Sequence, residues 1–147
     1  MIKMHAKRDR GQTLVEFALI LPIFILLLVG IFDMGRGVFA YNTINNAARE
    51  AVRVAIVNQT NSVIEAEAIK QAVTLNLTGT DVDVNFLQPD YSNAAPCNAT
   101  PRTGCVVEVI VRYQYTAATP IIGNIVGVLD LEGSSRQPIE RTFPAPP

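Results

Sequence analysis

The chain has 147 residues, a formal net charge of −1 and two cysteines. This length supports one small domain and disfavours a large enzyme. The charge is uneven, because residues 1–10 carry a net +3 and the rest of the chain carries −4. A basic cluster confined to the N-terminus is typical of a segment that flanks a membrane, and the remainder offers no basic patch for nucleic acid.

An apolar run follows this basic leader, from Leu14 to Phe32. As an α-helix it would be about 28 Å long, which matches the hydrocarbon core of a bilayer. The positive charge lies on its N-terminal side, so the positive-inside rule predicts a cytoplasmic leader over residues 1–11 and an extracytoplasmic C-terminal domain. We therefore expect a single transmembrane helix over residues 12–33, with the lipid bilayer of the cytoplasmic (inner) membrane as a partner.

This N-terminus allows three interpretations. The triplet Val38-Phe39-Ala40 permits a cleaved secretory signal peptide, although the apolar run exceeds the usual h-region of about 7–15 residues. An uncleaved anchor is the second interpretation. It leaves Glu16 unexplained, since a carboxylate within a span costs roughly 2.5–3.5 kcal/mol. The third interpretation is a cleavage site of the prepilin type at Gly11.

Four short stretches carry this third interpretation. They are Arg10-Gly11-Gln12, Val15-Glu16-Phe17-Ala18-Leu19, Leu21-Pro22 and Ala47-Ala48-Arg49-Glu50-Ala51-Val52-Arg53. Together they resemble the TadE-like family of the tight-adherence (Flp) pilus machinery, and the first two resemble the processing site of type IV prepilins. A glycine is frequent in that family where this chain has Val52.

The resemblance implies a pseudopilin, or minor pilin-like subunit, that acts in assembly or secretion of an adhesive fibre. Its implied partners are a prepilin peptidase, which would cut between Gly11 and Gln12, other pilin or pseudopilin subunits, and a membrane assembly platform. Cleavage would turn Gln12 into an N-terminal amine, which is largely cationic at neutral pH. Glu16, next to Phe17, would then neutralise such an amine and set the register between subunits.

A competing hypothesis is an uncleaved, single-pass scaffold or binding module of the cell envelope. In that protein, Glu16 would meet a polar group in a partner helix. The mass of the mature chain separates the two hypotheses.

The helix is expected to continue beyond the span as an amphipathic segment over residues 34–57. A candidate packing stripe recurs at spacings of three and four: Tyr41, Ile44, Ala48, Ala51 and Ala55. One helix from Leu14 to Val57 would be about 66 Å long. Pro22 lacks an N–H group, so a bend or a loosened turn is expected within the span.

Residues 58–143 are predicted to form a small α+β domain. Ser62 and Glu65 have the spacing of a capping box and predict the start of a second helix, which Gly79 would end. Alternating apolar residues predict strands over residues 81–86 and 107–115.

Pro120 then introduces a short apolar helix, which would pack on the domain, the stalk or the membrane surface. Residues 130–141 are compatible with a third, edge strand, and residues 144–147 are expected to be a disordered, proline-rich tail. The sum is an α+β fold similar to pilins, with a long N-terminal helix packed on a small antiparallel sheet.

Cys97 and Cys105 lie in a polar stretch between the two predicted strands. An extracytoplasmic compartment is oxidising, so we expect them to form a disulfide. Closing a loop of about nine residues would contribute about 2.5 kcal/mol by the chain-entropy model.

The sequence carries no motif for catalysis. Its single histidine, His5, lies in the leader, which argues against a histidine-based triad or zinc site. Asp81 and Asp83 imitate the start of a calcium loop, but Phe86 occupies the position that requires glycine. We expect a protein that is not an enzyme and that uses no metal or cofactor.

Overall fold

The structure, a computed structural model, describes residues 9–142, with the backbone alone at residues 9, 10, 121, 122 and 125. Most of the predicted leader and the whole of the predicted tail lie outside the described residues. The elements in chain order are α1 (Asp9–Ala55), α2 (Asn61–Gln71), two 3₁₀ turns (Val73–Leu75 and Gly79–Asp81), β1 (Val82–Leu87), β2 (Val106–Thr116), α3 (Pro120–Val126) and β3 (Val128–Pro138). The predicted α+β fold, a long N-terminal helix with a small antiparallel sheet, is confirmed.

Helix α1 is one element of 47 residues, which corresponds to about 70 Å. Pro22 lies inside it, and the helix continues on both sides of this residue. There is no break near residue 33, so the apolar half and the amphipathic half form a single helix. All residues from 11 to 28 are exposed, whereas the C-terminal half alternates between buried and exposed positions.

The sheet has the order β1-β2-β3, and both pairs of strands are antiparallel. Its inner face is set by β2, where Val107, Val109 and Val111 are fully buried. Val111 pairs with Val82 on one side and with Gly133 on the other. The third, edge strand expected near residues 130–141 is present, and it begins two residues earlier and ends three residues earlier than expected.

The C-terminal half of α1 packs against this inner face. Ile44, Ala48, Ala51 and Ala55 of the predicted packing stripe are completely buried. Tyr41 differs, because its side chain is 49% exposed and lies outside the buried core. Small side chains on the buried stripe allow the helix backbone to come close to the strands.

The approach between α1 and β3 is so close at Gly133 that it leaves no room for a side chain. A Cβ atom built there would lie 2.8 Å from the backbone nitrogen of Asn45 and 2.9 Å from the carbonyl carbon of Ile44. Both neighbours are backbone atoms of a helix, which cannot move as a flexible side chain can. Packing therefore requires glycine at this position.

The predicted start of α2 is wrong. The helix begins at Asn61 with Thr60 as the N-cap residue, and Thr60 makes no side-chain capping bond. The backbone N–H of Thr60 instead donates to Oδ1 of Asn58, which begins the turn into the helix. A capping box does form further along the chain, between Thr78 and Asp81.

The predicted end of α2 is also wrong. The helix ends at Gln71, and a 3₁₀ turn follows that closes at Asn76. Asn76 has a left-handed backbone with φ 51°, a conformation that asparagine tolerates better than most residues. The helical path is therefore broken before Gly79, which begins the second 3₁₀ turn.

A disulfide joins Cys97 to Cys105, with their Cα atoms 5.8 Å apart. Both cysteines are buried. The backbone N–H of Ile139 donates to the carbonyl of Cys105 at 2.7 Å, which extends the pairing of β2 with β3. The long loop between β1 and β2 is thus fastened at its base to the end of the sheet farthest from α3.

Candidate functional site

The residues of the predicted processing site lie near the N-terminal end of the described part of α1. The bond between Gly11 and Gln12 is within this helix. Gly11, Gln12, Glu16 and Phe17 are all exposed, and a Cβ atom built at Gly11 would meet no described atom within 4 Å beyond its chain neighbours and the adjacent backbone of α1. This end of α1 projects away from the domain and is accessible along its whole surface.

Glu16 follows Gln12 by four residues, which places the two side chains on the same face of the helix. They line one shallow surface together with Val15 and Leu19. None of the ion pairs among the described side chains involves Glu16. The structure thus presents one carboxylate beside the amide of Gln12 and two apolar side chains.

The structure separates the predicted site residues into three groups. Glu16 precedes Ile44, the first buried member of the packing stripe, by 28 residues. That spacing is about 42 Å along the helix. The disulfide lies in the domain, on the loop between β1 and β2. The buried stripe and the disulfide both belong to the core of the domain, whereas the N-terminal group lies outside it.

A buried carboxylate, which the sequence analysis did not single out, joins α1 to the far end of the sheet. Asp33 is 5% exposed. Its Oδ1 accepts the backbone N–H of Ala118 at 3.0 Å, and its Oδ2 accepts the backbone N–H of Thr119 at 3.2 Å. The Thr119 hydroxyl also donates to Oδ2. The carboxylate therefore holds the segment that leads into α3.

Tyr115 strengthens the same junction. Its hydroxyl donates to the backbone carbonyl of Asp33 at 2.6 Å. Burial raises the pKa of the Tyr115 phenol above its ordinary value, so the hydroxyl keeps the proton that it donates. Arg36 lies 3.6 Å from the Asp33 carboxylate and balances part of its charge. Four hydrogen bonds to Asp33, from Ala118, Thr119 and Tyr115, thus hold the segment before α3 against the end of the apolar stretch.

An open, apolar groove of about 630 Å³ lies beside this junction. One wall is formed by α1, including Leu26, Ile31 and Val38. The other wall comes from the end of α3 and the start of β3, including Val126 and Leu129. Both of these residues are more than 40% exposed. The groove therefore lies between the end of the apolar stretch and residues 117–129, which we call the tip of the domain.

The junction gives a direct test of Asp33. We expect Asp33→Ala to loosen residues 117–129, because it leaves two backbone N–H groups without their acceptor, at a cost of about 1–3 kcal/mol. Hydrogen exchange measured on the full chain should become faster there and stay unchanged in β1. The matched control is Glu50→Ala, which removes another carboxylate from α1 that pairs with an exposed arginine. Equal protection in the Asp33 variant and the wild type would contradict the assignment.

The described residues contain no group of three or more histidine, cysteine, aspartate or glutamate side chains that could hold a metal ion. Within the same part of the chain, α1 is the one helix long and apolar enough to cross a membrane. In the described residues one long helix carries a small α+β domain, an arrangement that suggests a single-pass membrane protein.

Residues 11–53 match the model of the family described as TadE-like protein. The resemblance found in the sequence is confirmed over these residues, which make up under a third of the chain and lie wholly within α1. A TadE-like segment suggests a protein associated with the Tad pilus. Comparison with curated proteins and with solved structures gives no significant match.

Proposed function

We propose that this chain is a pseudopilin, or minor pilin-like subunit, that acts in assembly or secretion of a tight-adherence (Flp-type) type IV pilus. The observation that carries the proposal is the TadE-like segment over residues 11–53, whose N-terminal part includes Gly11, Gln12 and Glu16 and is exposed from residue 11 to residue 28. The role is structural and requires no catalytic group or cofactor.

The basic leader supports an orientation with the N-terminus in the cytoplasm and the domain outside the inner membrane. In that orientation the bond after Gly11 faces the cytoplasm, where a prepilin peptidase would cut it. The disulfide between Cys97 and Cys105 suits an extracytoplasmic domain, since such compartments are oxidising.

The local structure suits cleavage at this position. A peptidase binds its substrate in an extended form, so α1 must unwind around Gly11 before the Gly11–Gln12 bond is cut. Glycine costs about 1 kcal/mol relative to alanine in a helix interior, and Gly11 is exposed. Unwinding at Gly11 is therefore less costly than unwinding at a residue that favours the helix.

Cleavage would also create the charge that Glu16 needs. The new amine of Gln12 would lie one turn from Glu16 of the same chain, and it would be able to reach Glu16 of a neighbouring subunit. Among packed apolar helices, the attraction within an ion pair offsets the cost of removing the two charges from water only when the geometry is good. Separating the pair leaves a buried, uncompensated charge, which is unfavourable. Such a pair would select one axial register between subunits.

The test of this proposal is the intact mass of the protein isolated from membranes. We expect a mature chain that begins at Gln12, and we expect Gly11→Leu to retain the leader. Gly35→Leu is the matched control, because a Cβ atom at either glycine meets nothing within 4 Å. This control should be processed as the wild type is. A wild-type chain that retains residues 1–11 would contradict cleavage and favour the uncleaved scaffold or binding module.

A further inference from the structure

We infer that the tip of the domain, residues 117–129 from the end of β2 to the start of β3, is a second membrane-contact surface. Acyl chains of the adjacent leaflet fill the apolar groove beside α1. The inference rests on the proposed membrane span of α1. It adds a lipid contact made by the folded domain, which is separate from the span itself.

The position of the groove along α1 is the first argument. Leu26 precedes Asp33 by seven residues, which is about 10 Å along the helix axis. If the apolar run from Leu14 to Phe32 spans the bilayer, the lower part of the groove lies inside the hydrocarbon. At that depth the solvent is lipid, and a subunit that stands alone has acyl chains as its surroundings.

The chemistry of the groove is the second argument. Its two polar side chains, Asp33 and Tyr115, are both hydrogen-bonded to other groups. The rest of the lining consists of glycine, alanine and larger apolar residues. Val126, Val128 and Leu129 are respectively 48%, 56% and 43% exposed on the tip. Apolar side chains exposed to water would be unfavourable, at roughly 25 cal/mol per Å² of apolar surface.

The backbone of the tip is the third argument, because unpaired backbone groups cannot enter lipid. The N–H of Gly123 donates to the carbonyl of Thr119, and the N–H of Gly127 donates to the carbonyl of Gly123, each at 2.8 Å. Val128 pairs with Thr116 at the start of β3. Because these backbone groups are paired, the tip can be buried in the part of the leaflet next to the headgroups.

The attachment of the tip is the fourth argument. The hydrogen bonds from Ala118, Thr119 and Tyr115 to Asp33 hold the tip beside the end of the span. The tip cannot move away from the membrane without breaking them. Its depth in the bilayer is thereby coupled to the depth of α1.

The chain contains no tryptophan, so a single introduced tryptophan can report the depth of one site. The full-length protein is placed in vesicles of phosphatidylethanolamine and phosphatidylglycerol whose acyl chains either carry bromine or do not. Val126→Trp tests the tip, and Leu129→Trp is a second variant in case the first does not fold. Phe24→Trp marks the span, and Val73→Trp marks an exposed site on the 3₁₀ turn after α2.

We expect bromine to cause a loss of emission from the tip variants and from Phe24→Trp, with emission from Val73→Trp unchanged. Quenching of Phe24→Trp without quenching at either tip position would overturn the inference and leave the span intact. No quenching of Phe24→Trp would overturn the span and with it the proposed function. Unquenched tip emission that shifts to the blue only at high protein-to-lipid ratio would place a second copy in the groove and overturn the lipid assignment.

Discussion

Gly133→Ala is expected to destabilise the domain strongly, because the added methyl group would collide with the backbone of α1. The contacts of 2.8 Å to Asn45 and 2.9 Å to Ile44 are shorter than real Cβ atoms show, so β3 and α1 must separate. Overpacking of this kind typically costs about 1–3 kcal/mol. For a domain of this size the loss corresponds to a fall in Tm of roughly 4–20 °C. Thermal unfolding of the full chain in detergent, followed by circular dichroism, measures it.

The matched control for this substitution is Gly79→Ala. Gly79 also lies in the domain, but a Cβ atom there meets only a carboxylate oxygen of Glu65, at an ordinary 3.5 Å. The control should therefore unfold close to the wild-type temperature. If Gly133→Ala unfolded at the wild-type temperature as well, the close packing of α1 on β3 would be wrong.

Glu16→Ala is expected to leave membrane insertion intact and to reduce fibre yield sharply. Removing a carboxylate from a span saves roughly 2.5–3.5 kcal/mol of insertion cost, so the amount of protein in the membrane should not fall. The proposed pairing with the Gln12 amine would be lost. The measurements are the protein level in isolated membranes, the processed mass and the amount of fibre released by shearing.

Two further variants separate charge from shape at this position. Glu16→Gln keeps the size of the side chain and removes its charge, so it should fail as the alanine variant does. Val15→Ala shortens an adjacent exposed side chain without changing the charge and should assemble far better. Normal fibre yield from Glu16→Gln would rule out the proposed pairing of charges.

Much of this fold is visible in local patterns of the sequence. The alternation of valines in β1 and β2 defines which face is buried, and each end of the observed strands lies one residue from the predicted end. The stripe of Ile44, Ala48, Ala51 and Ala55 likewise predicts the buried side of α1. These patterns are informative because each depends on contacts that repeat at a fixed spacing along one element.

Other features depend on partners that are distant in sequence. The inner positions of β3 include Gly133, where α1 leaves no room for a side chain, and Ser135, and such small residues hide the alternation of a strand. Asp33 and Thr119 are separated by 86 residues, so no local pattern connects them. The sequence feature that could have indicated this contact is Asp33 at the end of the apolar run, together with Thr119 and Pro120 at the start of a helix. The start of α2 was missed because Ser62 and Glu65 offer the spacing of a cap whose bond is not formed.

The unbroken course of α1 has a mechanical consequence. The C-terminal half of α1 is packed in the domain, and its N-terminal half carries the apolar stretch. Because the helix is continuous, the described chain has no hinge between the two halves. An axial advance of one helical turn, about 5.4 Å, would raise the whole domain by the same distance. A rotation of the helix about its axis would turn the domain through the same angle. Motion of α1 within the bilayer is therefore transmitted directly to the domain outside it.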